Sequence, residues 1–403
     1  MKILDIKVTG YKMLPNNFEL NFLPKTKVGE MDLETEIADI DTNLHTFSTI
    51  AFVGSNSSGK TTTLTLINKI EGLLSNGQFE YTENDFNAEK ILIEVIYYFD
   101  SYIYKYNCNL SKPGLLLNMS KQVLLCPINK EKLMKKKYNS KETKKELFYT
   151  NFTNVKKGES SINGNTISNL LLSTHSKTKY STNAMYFPSD IPNRILLKSF
   201  LIAKKHLPPN LVSDFISVLD NSIENIGNID KNQIENEETD RYKFKRKNKE
   251  ERTLTSYELG NVLSSGTKKG LLLYSYVYLS LALGNTLIID EIEKSFHKNL
   301  VDNIILLYND SAINVKHATL IFSTHYLEII DTLNRRDSIF VMHKDDGIIA
   351  ADNMYEKYHF RSELSKSKQY NNNAFNTLLN YDLLMKIKRE MIKATTRKTP
   401  NIK

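Results

Sequence analysis

Apolar residues alternate with polar ones from the start of the chain. "KILDIKVTGY" and "NFELNFL" flank the turn-forming "LPNN", so two short strands are expected within residues 1–24. "FSTIAFVG" (47–54) is instead an apolar, β-rich run, the pattern of a buried strand. It leads straight into a glycine loop, after which "KTTTLTLINKIEGLL" sets Leu64, Ile67 and Leu73 at helical spacing. "EKILIEVIYYF" and "SYIYKYNCNL" then predict a β-hairpin turning at Asp100–Ser101.

From about residue 112 to 250 lysine and asparagine accumulate and the periodicity weakens. Helical patches remain at "ISNLLLSTH" and at "RILLKSFLIAKKHL", which Pro208–Pro209 is expected to close. The acidic "NIGNIDKNQIENEETD" is expected to be a loop, and "YKFKRKN" after it an edge strand whose lysines discourage sheet-to-sheet pairing. Order returns at "TLTSYELGNVLSSGTKKGLLLYSYVYLSLALGNTLIIDEIEKSFH". The last fifty residues read as helical and basic, with a frayed "KATTRKTPNIK". The expected division is 1–110 and 253–350 as two halves of one α/β unit, 111–252 as an inserted, mainly helical arm or lid, and 351–403 as a basic tail.

Composition narrows the class. The 403 residues are 40% hydrophobic and 25% charged, as in a globular protein. No apolar run approaches the ~18 residues that span a bilayer, and the first residues do not resemble a secretory leader. Cys108 and Cys126 have no partners at metal spacing, which suits a reducing cytoplasm. The net charge of +8 admits contact with nucleic acid or another acidic partner. Much of the excess sits in "KEKLMKKKYNSKETKK" (130–145), and a lysine run is most often a solvated face.

The chemistry concentrates in four short stretches. Gly54, Ser55, Asn56, Ser57, Ser58, Gly59, Lys60 and Thr61 fit G-x-x-x-x-G-K-[ST] between a buried strand and a helix, with Thr62 following. Glycines let backbone N–H groups turn inward around phosphate oxygens, and the helix N-terminus adds positive potential. Lys60 is the candidate cation for the β- and γ-phosphates of ATP, and the Thr61 hydroxyl a ligand for Mg²⁺. "NTLIIDEIE" (285–293) places Asp290 and Glu291 at the C-terminal end of a short buried strand, which in an open α/β sheet faces the ligand crevice. Asp290 is the second metal-side residue and Glu291 the candidate base for water. "ATLIFSTHY" (318–326) repeats the design and offers His325 to sense or polarise the terminal phosphate. In "NVLSSGTKKGL" (261–271), Ser264, Ser265 and Gly266 precede a helix and form another anion-binding N-terminus.

In this order the four stretches resemble the P-loop NTPases of the ATP-binding-cassette group, including the heads of SMC and RecF-type repair proteins. Their Walker A, signature, Walker B and switch histidine read here as "GSNSSGKT", "LSSGT", "LIIDE" and "STH". "DEIEKSFH", "IFSTHY" and "NRRDSIFVMHKDDG" are similar to the AAA-15/AAA-21-type ATPases, which include overcoming-lysogenization-defect proteins and the ATPase subunits of PARIS, Septu and abortive-infection systems. The resemblance covers about 1–110 and 253–350. The chain departs from it at Ser265 and Thr267, where the signature has glycine and glutamine; neither Gln78 nor Gln122 sits convincingly as a glutamine loop.

The resemblance implies a Mg²⁺-dependent ATPase in which the signature of one subunit caps the ATP held by another. A head-to-tail homodimer, or a higher oligomer, is thus expected to close over two ATP molecules. It further implies a cytoplasmic sensor or scaffold of an antiphage system working with a separate effector, such as a nuclease or toxin. The competing readings are a RecF/SMC-like DNA-repair or chromosome-maintenance ATPase and the nucleotide-binding subunit of a transporter; the long insertion suits the last least. "HKDDG" (343–347) is read as a hairpin turn rather than a metal site.

Overall fold

The structure is a computed structural model that describes residues 1–112, 124–158, 184–228, 241–294, 296–358, 365–371 and 381–396. Its centre is a six-stranded sheet in the order Met185–Phe187, Thr286–Ile289, Thr319–Thr324, Thr49–Val53, Ile339–Asp345, Ile348–Asn353. The first five strands run parallel, and the sixth returns antiparallel as a hairpin. The interior strands read as unbroken apolar runs because both faces are covered. Ile50 and Phe52 pack into one hydrophobic cluster while Ala51 and Val53 pack into another, and Ile288 and Leu287 divide in the same way.

On one face lies the helix Lys60–Asn76, beneath a second six-stranded sheet that is wholly antiparallel. This second sheet carries the expected strands Lys2–Thr9 and Phe18–Asn21 and the hairpin Lys90–Phe99/Tyr102–Ser111. Asp100 and Ser101 turn that hairpin with φ of 50° and 62°, the left-handed pair that matches the twist of the flanking strands. On the other face lie the helices Asn193–Lys204, Pro209–Leu219, Ser265–Leu283 and Lys298–Asn309. A side chain at Gly270 would come within 2.4 Å of Leu219, so this glycine permits Ser265–Leu283 to lie tightly against Pro209–Leu219.

Several expectations change in three dimensions. Among the described residues, 111–252 is not mainly helical: it adds Ile128–Lys137 and Thr153–Gly158 to the antiparallel sheet and Met185–Phe187 to the parallel one. Pro208 and Pro209 separate two helices and open the second, with a proline at its start, where a missing N–H costs nothing. Residues 226–228 belong to the strand Ile223–Asn228; "ISNLLLSTH" and 229–240 lie outside the described residues. Arg241–Arg246 is the middle of a three-stranded sheet, not an edge. Tyr242 and Phe244 are buried, so its lysines line the opposite face of a sheet covered on one side only.

The lysine run also divides. Lys137 is exposed, but Lys136 is buried, its Nζ 2.6 Å from Glu142 Oε2 and 2.7 Å from the Glu146 carbonyl. Residues 343–345 end the strand Ile339–Asp345, and Asp346 and Gly347, with φ of 49° and 85°, turn its hairpin with Ile348–Asn353. Among the described residues no cluster of three or more His, Cys, Asp or Glu side chains suits a metal, and no helix is long and apolar enough to cross a membrane.

Candidate functional site

Three adjacent parallel strands, Thr286–Ile289, Thr319–Thr324 and Thr49–Val53, end at one pole of the sheet. The chain leaves Val53 through Gly54, where any side chain would strike the Met342 carbonyl at 2.4 Å. It closes the loop at Gly59 with φ of 101° and starts the helix at Lys60. Ser57, at φ 62°, is a second left-handed residue. Such a sequence turns successive N–H groups toward one point and builds a concave anion nest. Asn56 and Ser57 are exposed, Ser55 and Gly59 half-buried, and Ser58 buried with a hydroxyl that has no partner among the described residues. Thr62 follows in the first helical turn.

Lys60 is folded back into its own loop. Its Nζ donates to the Gly54 and Ser55 carbonyls, both at 2.8 Å, and lies 3.2 Å from His325 Nδ1. Burial pulls its pKa down to about 8 against the opposing pull of Glu293, Asp290 and Glu291. Thr61 Oγ1 donates to Asp290 Oδ2 at 2.9 Å. Both are hard oxygen ligands, Thr61 at the helix N-terminus and Asp290 at the end of the strand Thr286–Ile289, the chemistry Mg²⁺ takes.

Ser323 ties the two carboxylate residues together. Its hydroxyl donates to Asp290 Oδ1 at 2.6 Å and accepts the Glu291 N–H at 2.8 Å. Glu291 is held at φ 50°, a strained backbone for a residue with a side chain. One of its oxygens meets His325 Nε2 at 3.3 Å and the other meets Lys294 Nζ at 3.3 Å. Partial burial opposes ionisation of Glu291, yet the hydrogen bonds from His325 and Lys294 outweigh it and hold the carboxyl below its ordinary range. His325 Nδ1 thus faces both Lys60 Nζ and, at 3.1 Å, the Gly54 carbonyl, while Nε2 faces Glu291.

Six side chains from three strand ends therefore form one hydrogen-bonded array: Lys60, Thr61, Asp290, Glu291, Ser323 and His325. Ser264, Ser265 and Gly266 do not join it. Ser264 caps the helix Ser265–Leu283 by accepting the Thr267 N–H at 3.0 Å. Ser265 and Gly266 are exposed and line, with Asp190, Asn193 and Lys269, a cleft of about 310 Å³. Gln78 follows the end of the loop helix, and Gln122 lies outside the described residues.

The sequence reading missed the roles of Ser323 and Glu293. Ser323 was visible as the strand residue before "TH", but only the register of Thr319–Thr324 beside Thr286–Ile289 puts it under Asp290. Glu293 accepts the His325 N–H at 2.6 Å, and its only sequence signal was a second acid two residues past Glu291.

The solved structures that resemble this chain include the SMC head domain from Thermotoga maritima, at 13% identity, covering 88% of this chain and 99% of that one with a TM-score of 0.43. They also include cbiO1 from Clostridium perfringens, part of the ABC transporter complex cbiONQ, at 12% identity, covering 88% and 90% with a TM-score of 0.32. No curated protein matches the sequence. A family profile described as "AAA domain, putative AbiEii toxin, Type IV TA system" matches residues 50–331, more than half the chain, and spans the loop, both carboxylates and His325. The chain belongs to this AAA_21 family.

Proposed function

We propose that the chain binds and hydrolyses ATP at this pole. Residues Gly54 to Thr62 take the phosphates, Lys60 exchanging its two loop carbonyls for phosphate oxygens. Thr61 and Asp290 would hold Mg²⁺, which when bound supplies positive charge to the terminal phosphate. Glu291 accepts the proton of the attacking water, and His325 positions Glu291 while facing the phosphate side through Lys60. The observation that carries the reading is the continuous array from Lys60 to Glu291, since positioned groups accelerate phosphoryl transfer chiefly by orientation and charge. Its test is phosphate release from MgATP by the wild type beside Glu291→Gln, with calorimetry of ATP binding to both. Binding without release in the variant alone supports the roles; equal turnover moves the base elsewhere.

We infer further that Ser264, Ser265 and Gly266 serve the nucleotide of a second copy. They are exposed at a helix N-terminus and bonded to nothing in the array of their own chain. The cellular role we propose is an ATPase sensor or scaffold in an antiphage or abortive-infection system with a separate effector. The toxin–antitoxin wording of the family's description supports that class. A DNA-maintenance ATPase is the second reading, and the net charge of +8 keeps it in view. Co-purification of a nuclease or toxin supports the first role, whereas nucleic-acid binding that weakens steeply with salt supports the second.

A further inference from the structure

Glu293 has no part in the roles above, yet it lies inside the array. The turn after Asp290 is stitched to the strand Thr319–Thr324 by the Ile292 N–H, which donates to the Ser323 carbonyl at 3.0 Å. Glu293 thereby arrives beneath His325, and its Oε1 accepts the His325 N–H at 2.6 Å. Its Oε2 is buried and has no hydrogen-bond partner among the described residues. Of the carboxylates acting on Lys60, Glu293 is felt most strongly, ahead of Asp290 and Glu291.

A carboxylate kept only to anchor a turn has no reason to leave one oxygen buried and unmatched. Such an atom carries an uncompensated desolvation cost, larger when charged, and a native structure that retains one calls for an explanation. The nearest explanation is a donor that arrives with the nucleotide.

We infer that Glu293 is a further positioning residue of the hydrolytic site, one oxygen fixing the His325 peptide and the other kept as acceptor for a water ordered when ATP binds. This rests on the ATPase reading. It accounts for His325 holding its ring between Lys60 and Glu291: the backbone at residue 325 is gripped from below by Glu293 while the ring is gripped from the side by Glu291. The charge of Glu293 does not favour phosphate binding, so its removal is not expected to weaken ATP affinity.

The test uses the full chain with Glu293→Ala and Glu293→Gln. Misplacing a reacting group by about 1 Å costs up to ~100-fold, so Glu293→Ala should turn over MgATP about 10- to 100-fold more slowly. Its ATP affinity should be unchanged or tighter, because a negative charge near the phosphates is gone. Glu293→Gln keeps an oxygen for the His325 N–H but replaces the free acceptor with a donor, so its rate should fall between the two. In protein labelled with ¹⁵N-histidine and free of nucleotide, the His325 amide proton should move upfield in Glu293→Ala and stay near its wild-type position in Glu293→Gln.

Wild-type turnover in Glu293→Ala overturns the inference. So does a joint loss of ATP affinity and melting temperature, which marks a structural residue, and so does a Gln variant as slow as Ala. If the wild type itself releases no phosphate, the ATPase reading fails, and the amide resonance still decides whether Glu293 holds His325.

Discussion

The pole at the ends of Thr49–Val53, Thr286–Ile289 and Thr319–Thr324 and the exposed start of Ser265–Leu283 are both helix-associated, polar and suited to anions. They differ in completion. At the first, side chains from different strand ends meet one another: Thr61 with Asp290, Lys60 with His325, His325 with Glu291. At the second, Ser264 spends its hydroxyl on its own helix cap, and Ser265 and Gly266 face an open cleft. A site that must activate water needs rigid, mutually oriented groups, which one sheet supplies. A site that recognises a phosphate carried by another molecule needs only free N–H groups on a firm helix. The contrast is what the proposal of a signature serving another copy's nucleotide expects.

The sharpest way to break this contrast is Glu291→Gln. The amide keeps the size of the side chain but cannot take a proton, and losing a positioned base costs ~100- to 10,000-fold in rate. ATP-bound dimers should accumulate, seen by light scattering beside single-turnover hydrolysis; normal turnover would mean the array is not the catalytic pole. Lys60→Ala comes next. Hydrogen bonds to charged groups contribute about 1.5–3 kcal/mol each, so MgATP affinity by calorimetry should fall by roughly 100-fold. Unchanged affinity would remove the phosphate-loop assignment.

Ser264→Arg probes the other region. Calorimetry should show monomer ATP binding nearly intact, because Ser264 touches nothing at the first pole. Closure of a second copy should weaken at least about tenfold, since a bulky side chain in a fitted contact costs several kcal/mol. Wild-type hydrolysis by this variant would show that the signature does not act between copies.

The smallest effect distinguishes two neighbours in the lysine run. Lys136→Glu should destabilise the fold by about 3–5 kcal/mol, as expected when a buried ion pair loses one partner. Lys137→Glu, at an exposed position, should stay within about 0.5 kcal/mol. Denaturant midpoints read both directly. Equal effects would return the whole run to the solvated face that its composition suggests.

The sequence by itself determined whatever depends on neighbours in the chain. "FSTIAFVGSNSSGKTTTL" carries its strand, its left-handed loop residues and its helix start within eighteen letters, because burial on both faces removes alternation and glycine removes the steric bar at Gly59. The turns at Asp100–Ser101 and Asp346–Gly347 are equally local. Tertiary structure decided what depends on strand order. Lys60 and His325 stand 265 residues apart in the chain, and no periodicity reports that their strands are neighbours. Register puts Ser323 under Asp290, and the turn tied to Ser323 by the Ile292 N–H brings Glu293 to His325. Packing, not composition, buried Lys136 and set Arg241–Arg246 in the middle of its sheet. Local pattern records which face a residue turns inward; which residue it meets there is fixed only when distant strands pair.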